Sequence, residues 1–168
     1  MELLECTLVI DDIEAFVAAL GEIGDRHDVT VQALDARYVA DRRHLERAVA
    51  FADRAIDRGE NIARDRAVEM LLYAAGRRQI DRALEMGVGE GENRAVVLID
   101  GGTERDETAA LEAIEALDSF GDRASTLATR DGETLCDFFG ITDTEREATE
   151  ASLSALVCER VALLEVEK

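Results

Sequence analysis

Proline and tryptophan are absent from the 168 residues, and lysine occurs only at the last position, Lys168. Without proline, every helix end has to be set by glycine and by acidic or hydroxyl caps. The two histidines, His27 and His44, have no second ligand at metal-binding spacing, and each is expected at the surface. Cys6, Cys136 and Cys158 lie far apart, form no paired-cysteine metal motif and are odd in number. That argues against a disulfide framework and for a reducing cytosol. No nucleophile-elbow serine occurs, so a hydrolase triad has no sequence anchor. No run approaches the roughly 20 apolar residues of a membrane span, and Met1-Glu2-Leu3-Leu4 lacks a basic signal-peptide start. A cytoplasmic domain is the expectation.

What the chain has in excess is acid. Thirty-eight Asp and Glu face 19 Lys and Arg, for a formal net charge of −19. Such self-repulsion falls as the Debye length shrinks from about 8 Å in ordinary salt to about 3 Å in molar salt. Acidic excess, scarce lysine and small side chains look like a cytosolic protein of a salt-accumulating halophile. The rival reading, a nucleic-acid mimic or acidic tail, fits less well because the acids are interspersed. Hydrophobic residues make up 47% of the chain, enough for a core, and the length suits one domain over residues 1–168.

Leu3–Ile10 reads as a buried strand, and Asp12 as the cap of a helix over Ile13–Ile23 that Gly24 closes. Residues 29–34 alternate as a second strand. Asp41 caps a long helix ending at Gly59, with Leu45, Val49, Ala52 and Ile56 on its apolar face. A further helix covers Asp65–Ala75, Gly76 interrupts it, and Gln79–Met86 continues as another. Gly87–Gly91 reads as a linker rather than a nucleotide loop, because a helix precedes it. Ala95-Val96-Val97-Leu98-Ile99 is the clearest central strand. Gly101-Gly102-Thr103 then turns into a helix around Thr108–Leu117, and the surrounding acids Asp100, Glu104, Asp106 and Glu107 favour a structural turn over a phosphate site. Helices near Glu133–Phe139 and Thr144–Leu164 complete the chain. The pattern predicts an α/β fold leaning to α+β, with a small three- to four-stranded sheet covered by several helices.

Arginine is distributed unevenly. Residues 36–82 hold 11 arginines and 8 acids, a local charge of +3, against −8 before them and −14 after. A phosphate-contacting surface needs such a contrast, but i, i+4 ion pairs along helices would produce it as well, for example around Glu46 or Asp81.

The segment Tyr38-Val39-Ala40-Asp41-Arg42-Arg43-His44-Leu45, with Arg58-Gly59-Glu60-Asn61-Ile62-Ala63, resembles the PRPK-binding protein (TPRKB) family. So does Glu69-Met70-Leu71-Leu72-Tyr73-Ala74-Ala75-Gly76-Arg77-Arg78-Gln79-Ile80. The resemblance covers nearly the whole chain and is strongest over residues 38–100. It implies a non-catalytic, regulatory subunit of the KEOPS complex, with no cofactor and no metal. The complex places threonylcarbamoyl on tRNA, and the family member binds and stimulates its kinase-like ATPase subunit. In archaea it also helps recruit tRNA by the 3′ CCA end. On that basis the tRNA-contacting residues are expected to be Arg77, Arg78 and Gln79 at the break after Gly76, with Asn61, Arg64 and Arg82 nearby. A helix N-terminus at the break would add free amides, and Gln79 would read a base edge or cap the helix. Tyr73 is expected in the core rather than stacked on a base. The alternative reading is a small halophilic enzyme using a carboxylate pair or a divalent metal.

Overall fold

The computed structural model describes residues 1–129 and 131–167. Strand β1 (Glu2–Ile10) alternates Leu4, Cys6, Leu8 and Ile10 inward, so its period of two puts one full apolar row on one face. Asp12 then caps helix α1 (Ile13–His27) by accepting the amides of Glu14 and Ala15. Strand β2 (Thr30–Asp35) follows, and after a long helical excursion come β3 (Gly91–Asp100), α5 (Glu104–Glu115) and β4 (Phe120–Arg123). The sheet order is β2-β3-β1-β4, and all three pairings are antiparallel. This is the arrangement of a split βαβ sheet, with α1 and α5 packed on one face. Phe16, Leu20 and Ile23 of α1 and Ala110 and Ile114 of α5 meet the inward row of β1 there.

The intervening helices are α2 (Arg42–Asp57), α3 (Arg66–Ala75) and the one-turn α4 (Ile80–Ala83). After β4 come α6 (Gly132–Phe139), α7 (Asp143–Glu147) and α8 (Leu153–Glu167). The chain divides into two compact units: residues 1–36 with 87–128, and residues 37–86 with 129–168. The first holds the sheet with α1 and α5; the second is helical. Its core is built from Leu45, Ala48 and Ala52 of α2, Met70 to Ala75 of α3, and Leu156, Val157, Val161 and Leu164 of α8. The mixed α/β architecture with a four-stranded sheet is the one the hydrophobic pattern predicts. All three cysteines are free, and among the described residues no helix is long and apolar enough to cross a membrane.

Three local expectations are corrected. Gly24 does not end α1, which runs on to His27 and is capped by Asp28 in the left-handed region at φ 56°. Gly24 is there for space, since a Cβ would stand 2.7 Å from the Val29 carbonyl oxygen. The long helix over Thr144–Leu164 is two helices. Thr149 and Ser152 hydroxyls accept the amides of Ala151 and Ala155, offering the backbone a competing set of bonds between α7 and α8. Gln79–Met86 forms only the single turn of α4 followed by a 3₁₀ turn over Leu84–Met86. Strand β4 has no alternating apolar signal; it is a short edge strand held by pairing with β1 and by the Asp122 amide donating to Thr7 Oγ1 at 3.0 Å. At the Gly101-Gly102-Thr103 turn the amides of Gly101 and Thr103 donate to the carboxylates of Glu107 and Asp106, so the chain's own acids occupy it.

Candidate functional site

The expected contact residues all lie in the helical unit, at the two ends of α3. Its C-terminal end is a Schellman motif: the Gly76 amide donates to Tyr73 O at 3.1 Å and the Arg77 amide to Leu72 O at 3.0 Å. The motif needs a left-handed residue, and Gly76 supplies φ 63°. Glycine is required twice over, because a Cβ would also lie 3.3 Å from the Arg160 carbonyl oxygen of α8.

Arg77 does not reach outward from this junction. Its guanidinium donates to the Phe138 carbonyl oxygen and lies over the Phe138 ring, 4.9 Å from the centroid. Arg160 approaches the same helix end from α8. Its Nε donates to Phe139 O at 3.0 Å, its Nη2 to Gly140 O at 3.2 Å, and it pairs with both oxygens of Glu145 at 2.6 and 3.1 Å. Two arginines thus satisfy the last carbonyls of α6, which an eight-residue helix leaves without intrahelical partners. The clamp fixes where the chain leaves α3.

Arg78, Gln79 and Arg82 are exposed beyond that clamp. The Gln79 side chain makes no capping bond to α4, which removes the capping role as an account of it. With four residues, α4 has almost no macrodipole, so the helix N-terminus expected to add anion affinity contributes little. The cationic groups this turn presents are therefore its guanidinium groups.

Asn61 and Arg64 sit at the opposite end of α3, separated from the Gly76 junction by the ten residues of the helix, roughly 15 Å. Asn61 Nδ2 donates to Ala63 O at 2.9 Å. The loop is held by Glu69, fully buried, whose carboxylate accepts the amides of Ile62 at 3.0 Å and Ala63 at 2.9 Å. Asn61 and Glu69 shape the turn, and Arg64 is the exposed cation it presents. The structure therefore brings Gly76, Arg77, Arg78, Gln79 and Arg82 together and places Asn61 and Arg64 apart from them.

Tyr73 is buried as expected. Its ring stacks on Phe51 with centroids 5.8 Å apart, and its hydroxyl donates to Glu165 Oε2 at 2.7 Å. Burial and the neighbouring carboxylate push the phenol above its ordinary pKa. A base has no access to this ring.

His44 corrects the surface expectation. It is completely buried, accepts the Ala40 amide at Nδ1 (3.1 Å) and donates from Nε2 to Ala74 O at 2.7 Å. Since Nδ1 accepts, the proton is on Nε2 and the ring is neutral. Burial drives its pKa down to about 4, against smaller raising contributions from the Ala74 carbonyl and Asp41. The sequence did carry a signal: position 44 precedes Ala48, Ala52 and Ala55 on the inward face of α2 at helical spacing. His44 is missing from the expected site residues, yet it locks the first turn of α2 to the last turn of α3.

Among the described residues, no group of three or more His, Cys, Asp or Glu side chains is arranged to hold a metal ion. No curated protein matches the chain in sequence. A family model described as kinase binding protein CGI-121 matches residues 10–165, spanning both units and the whole α2–α4 region. The chain belongs to the CGI-121 family of kinase binding proteins.

Proposed function

We propose that this protein is a non-catalytic KEOPS subunit, acting as one domain over residues 1–168. It binds and stimulates the kinase-like ATPase subunit and recruits tRNA through its 3′ CCA end in support of threonylcarbamoyladenosine formation, in the cytoplasm of a salt-accumulating cell. The kinase-binding family supports the first partner. The observation that carries the RNA reading is the Gly76–Arg82 junction, where exposed Arg78, Gln79 and Arg82 project from a turn made rigid by the Arg77 and Arg160 clamp. Guanidinium forks match phosphate oxygens, and an unpaired RNA end exposes edges for an amide such as Gln79 to bond.

The clamp divides the roles. Arg78, Gln79 and Arg82 touch RNA; Arg77 and Gly76 position them. Asn61 and Arg64 belong to the same face only if the RNA extends along the protein. The test is retention of CCA-ended tRNA by Arg78→Glu with Arg82→Glu, with capture of the kinase-like ATPase measured in parallel. Loss of tRNA with ATPase capture and fold intact is the expected result. Full tRNA retention would remove the junction from the mechanism, and failure to capture the ATPase in the wild type would remove the KEOPS assignment.

A further inference from the structure

Helix α2 carries a second feature that the junction does not use. Arg43, Arg47, Arg54 and Arg58 are all exposed, and at about 100° per residue they fall within an arc of roughly 60° on its outer surface. The stripe is roughly 22 Å long at about 1.5 Å per residue. Internal ion pairing does not account for it. Glu46, the nearest candidate partner for Arg43 and Arg47, is instead 3.4 Å from Arg42, and Asp53 is taken by Arg66 at 2.7 Å. Arg43, Arg47 and Arg54 form no salt bridge among the described residues; Arg54 lies over the Phe51 ring, and Arg58 approaches Glu165 only at 3.9 Å. On a chain of net charge −19, three exposed arginines in a row without a salt bridge among the described residues make this face suited to an external anion.

The direction of the row is set by two contacts. His44 bonded to Ala74 places the start of α2 beside the Gly76 junction, and Arg66 bonded to Asp53 ties the later turns of α2 to the start of α3. The stripe therefore leads from the junction end, at Arg43, toward the loop carrying Arg64, at Arg58. It runs along the same span that separates the two groups of cations at the ends of α3.

We propose that α2 is the track for the phosphodiester backbone of the RNA whose end lodges at the junction, with Arg43, Arg47 and Arg54 on phosphates along it and Arg58 and Arg64 at the far end. A backbone suits this face better than a protein partner does. Protein interfaces are depleted of charge at their centre and anchored on apolar or aromatic groups, whereas the only uncharged exposed side chain within the row is Ala50. The exposed large apolar residues of this unit, including Leu84, Leu163 and Val166, lie on other helices and turns.

The inference rests on the junction reading, and two RNA probes separate them: a full-length tRNA transcript and a short single-stranded RNA ending in CCA. Binding is followed by fluorescence anisotropy on wild type, on Arg43→Gln/Arg47→Gln/Arg54→Gln, and on Arg78→Glu/Arg82→Glu, in KCl where circular dichroism shows each folded. The α2 variant should bind tRNA at least about tenfold more weakly, and its slope of log affinity against log salt should fall by roughly two to three. It should hold the short RNA as well as wild type does, while the junction variant loses both probes. An α2 variant with unchanged tRNA affinity and slope overturns the track and leaves the junction standing. Equal loss of both probes by the α2 variant also overturns it, since the stripe would then belong to the end site. Loss of ATPase capture without loss of RNA assigns α2 to a protein partner instead, and a wild type that binds neither RNA ends both readings.

Discussion

The two units carry the same acid load and differ in base. Each holds 19 Asp and Glu, but the sheet unit has 4 arginines where the helical unit has 14 arginines and Lys168, giving net charges of −15 and −4. The contrast is therefore made by adding arginine to one unit rather than by removing acid from it. In the sheet unit Arg123 is held at home, pairing bidentately with Glu115 at 2.6 and 2.9 Å. In the helical unit some arginines brace the fold, notably Arg66, Arg77 and Arg160, while Arg43, Arg47 and Arg54 face solvent without a salt bridge among the described residues. The lesson is that a local charge of +3 says little until each guanidinium is assigned a partner.

The strongest way to break this comparison is to remove the internal braces of the helical unit. Glu69→Ala leaves the Ile62 and Ala63 amides without their buried acceptor and should cost about 3 kcal/mol in denaturant unfolding. His44 offers a matching handle through pH. Because the folded ring titrates at about 4 and the unfolded one near 6.5, the unfolded chain binds the extra proton between those values. Stability at neutral pH should therefore fall by up to about 3 kcal/mol as pH drops through that window, and His44→Gln should lose that component of the pH dependence. Arg160→Ala, which uncaps the Phe139 carbonyl of α6 and the Gly140 carbonyl after it, should cost about 1–2 kcal/mol. Arg78→Ala with Arg82→Ala should change unfolding by no more than about 0.5 kcal/mol while weakening tRNA, which distinguishes bracing from contact arginines. Rising KCl sharpens the contrast last: the melting temperature should climb into the molar range, and a melt independent of salt would refute the halophilic reading.

Much of the fold was legible. The strand at residues 95–99, the Asp12 and Asp41 caps and the Gly76 stop all followed from local chemistry, because a cap or an αL glycine acts within a few residues of itself. The C-terminal helix was overextended because hydroxyl caps at Thr149 and Ser152 interrupt it without glycine or proline. The motif singled out Arg78, Gln79 and Arg82, and the structure leaves all three exposed. The second role of Arg77 was not legible, since its acceptor is Phe138, 61 positions later.

Sequence alone determined which residue types this protein has to work with: acid everywhere, arginine concentrated in one stretch, and helices punctuated without proline. Only the tertiary structure decided which arginines are consumed and which are available. A guanidinium's role depends on the carboxylate or carbonyl within about 3 Å of it, and for Arg77 and Arg160 those partners come from the α6–α7 region, which chain folding, not sequence proximity, delivers to them.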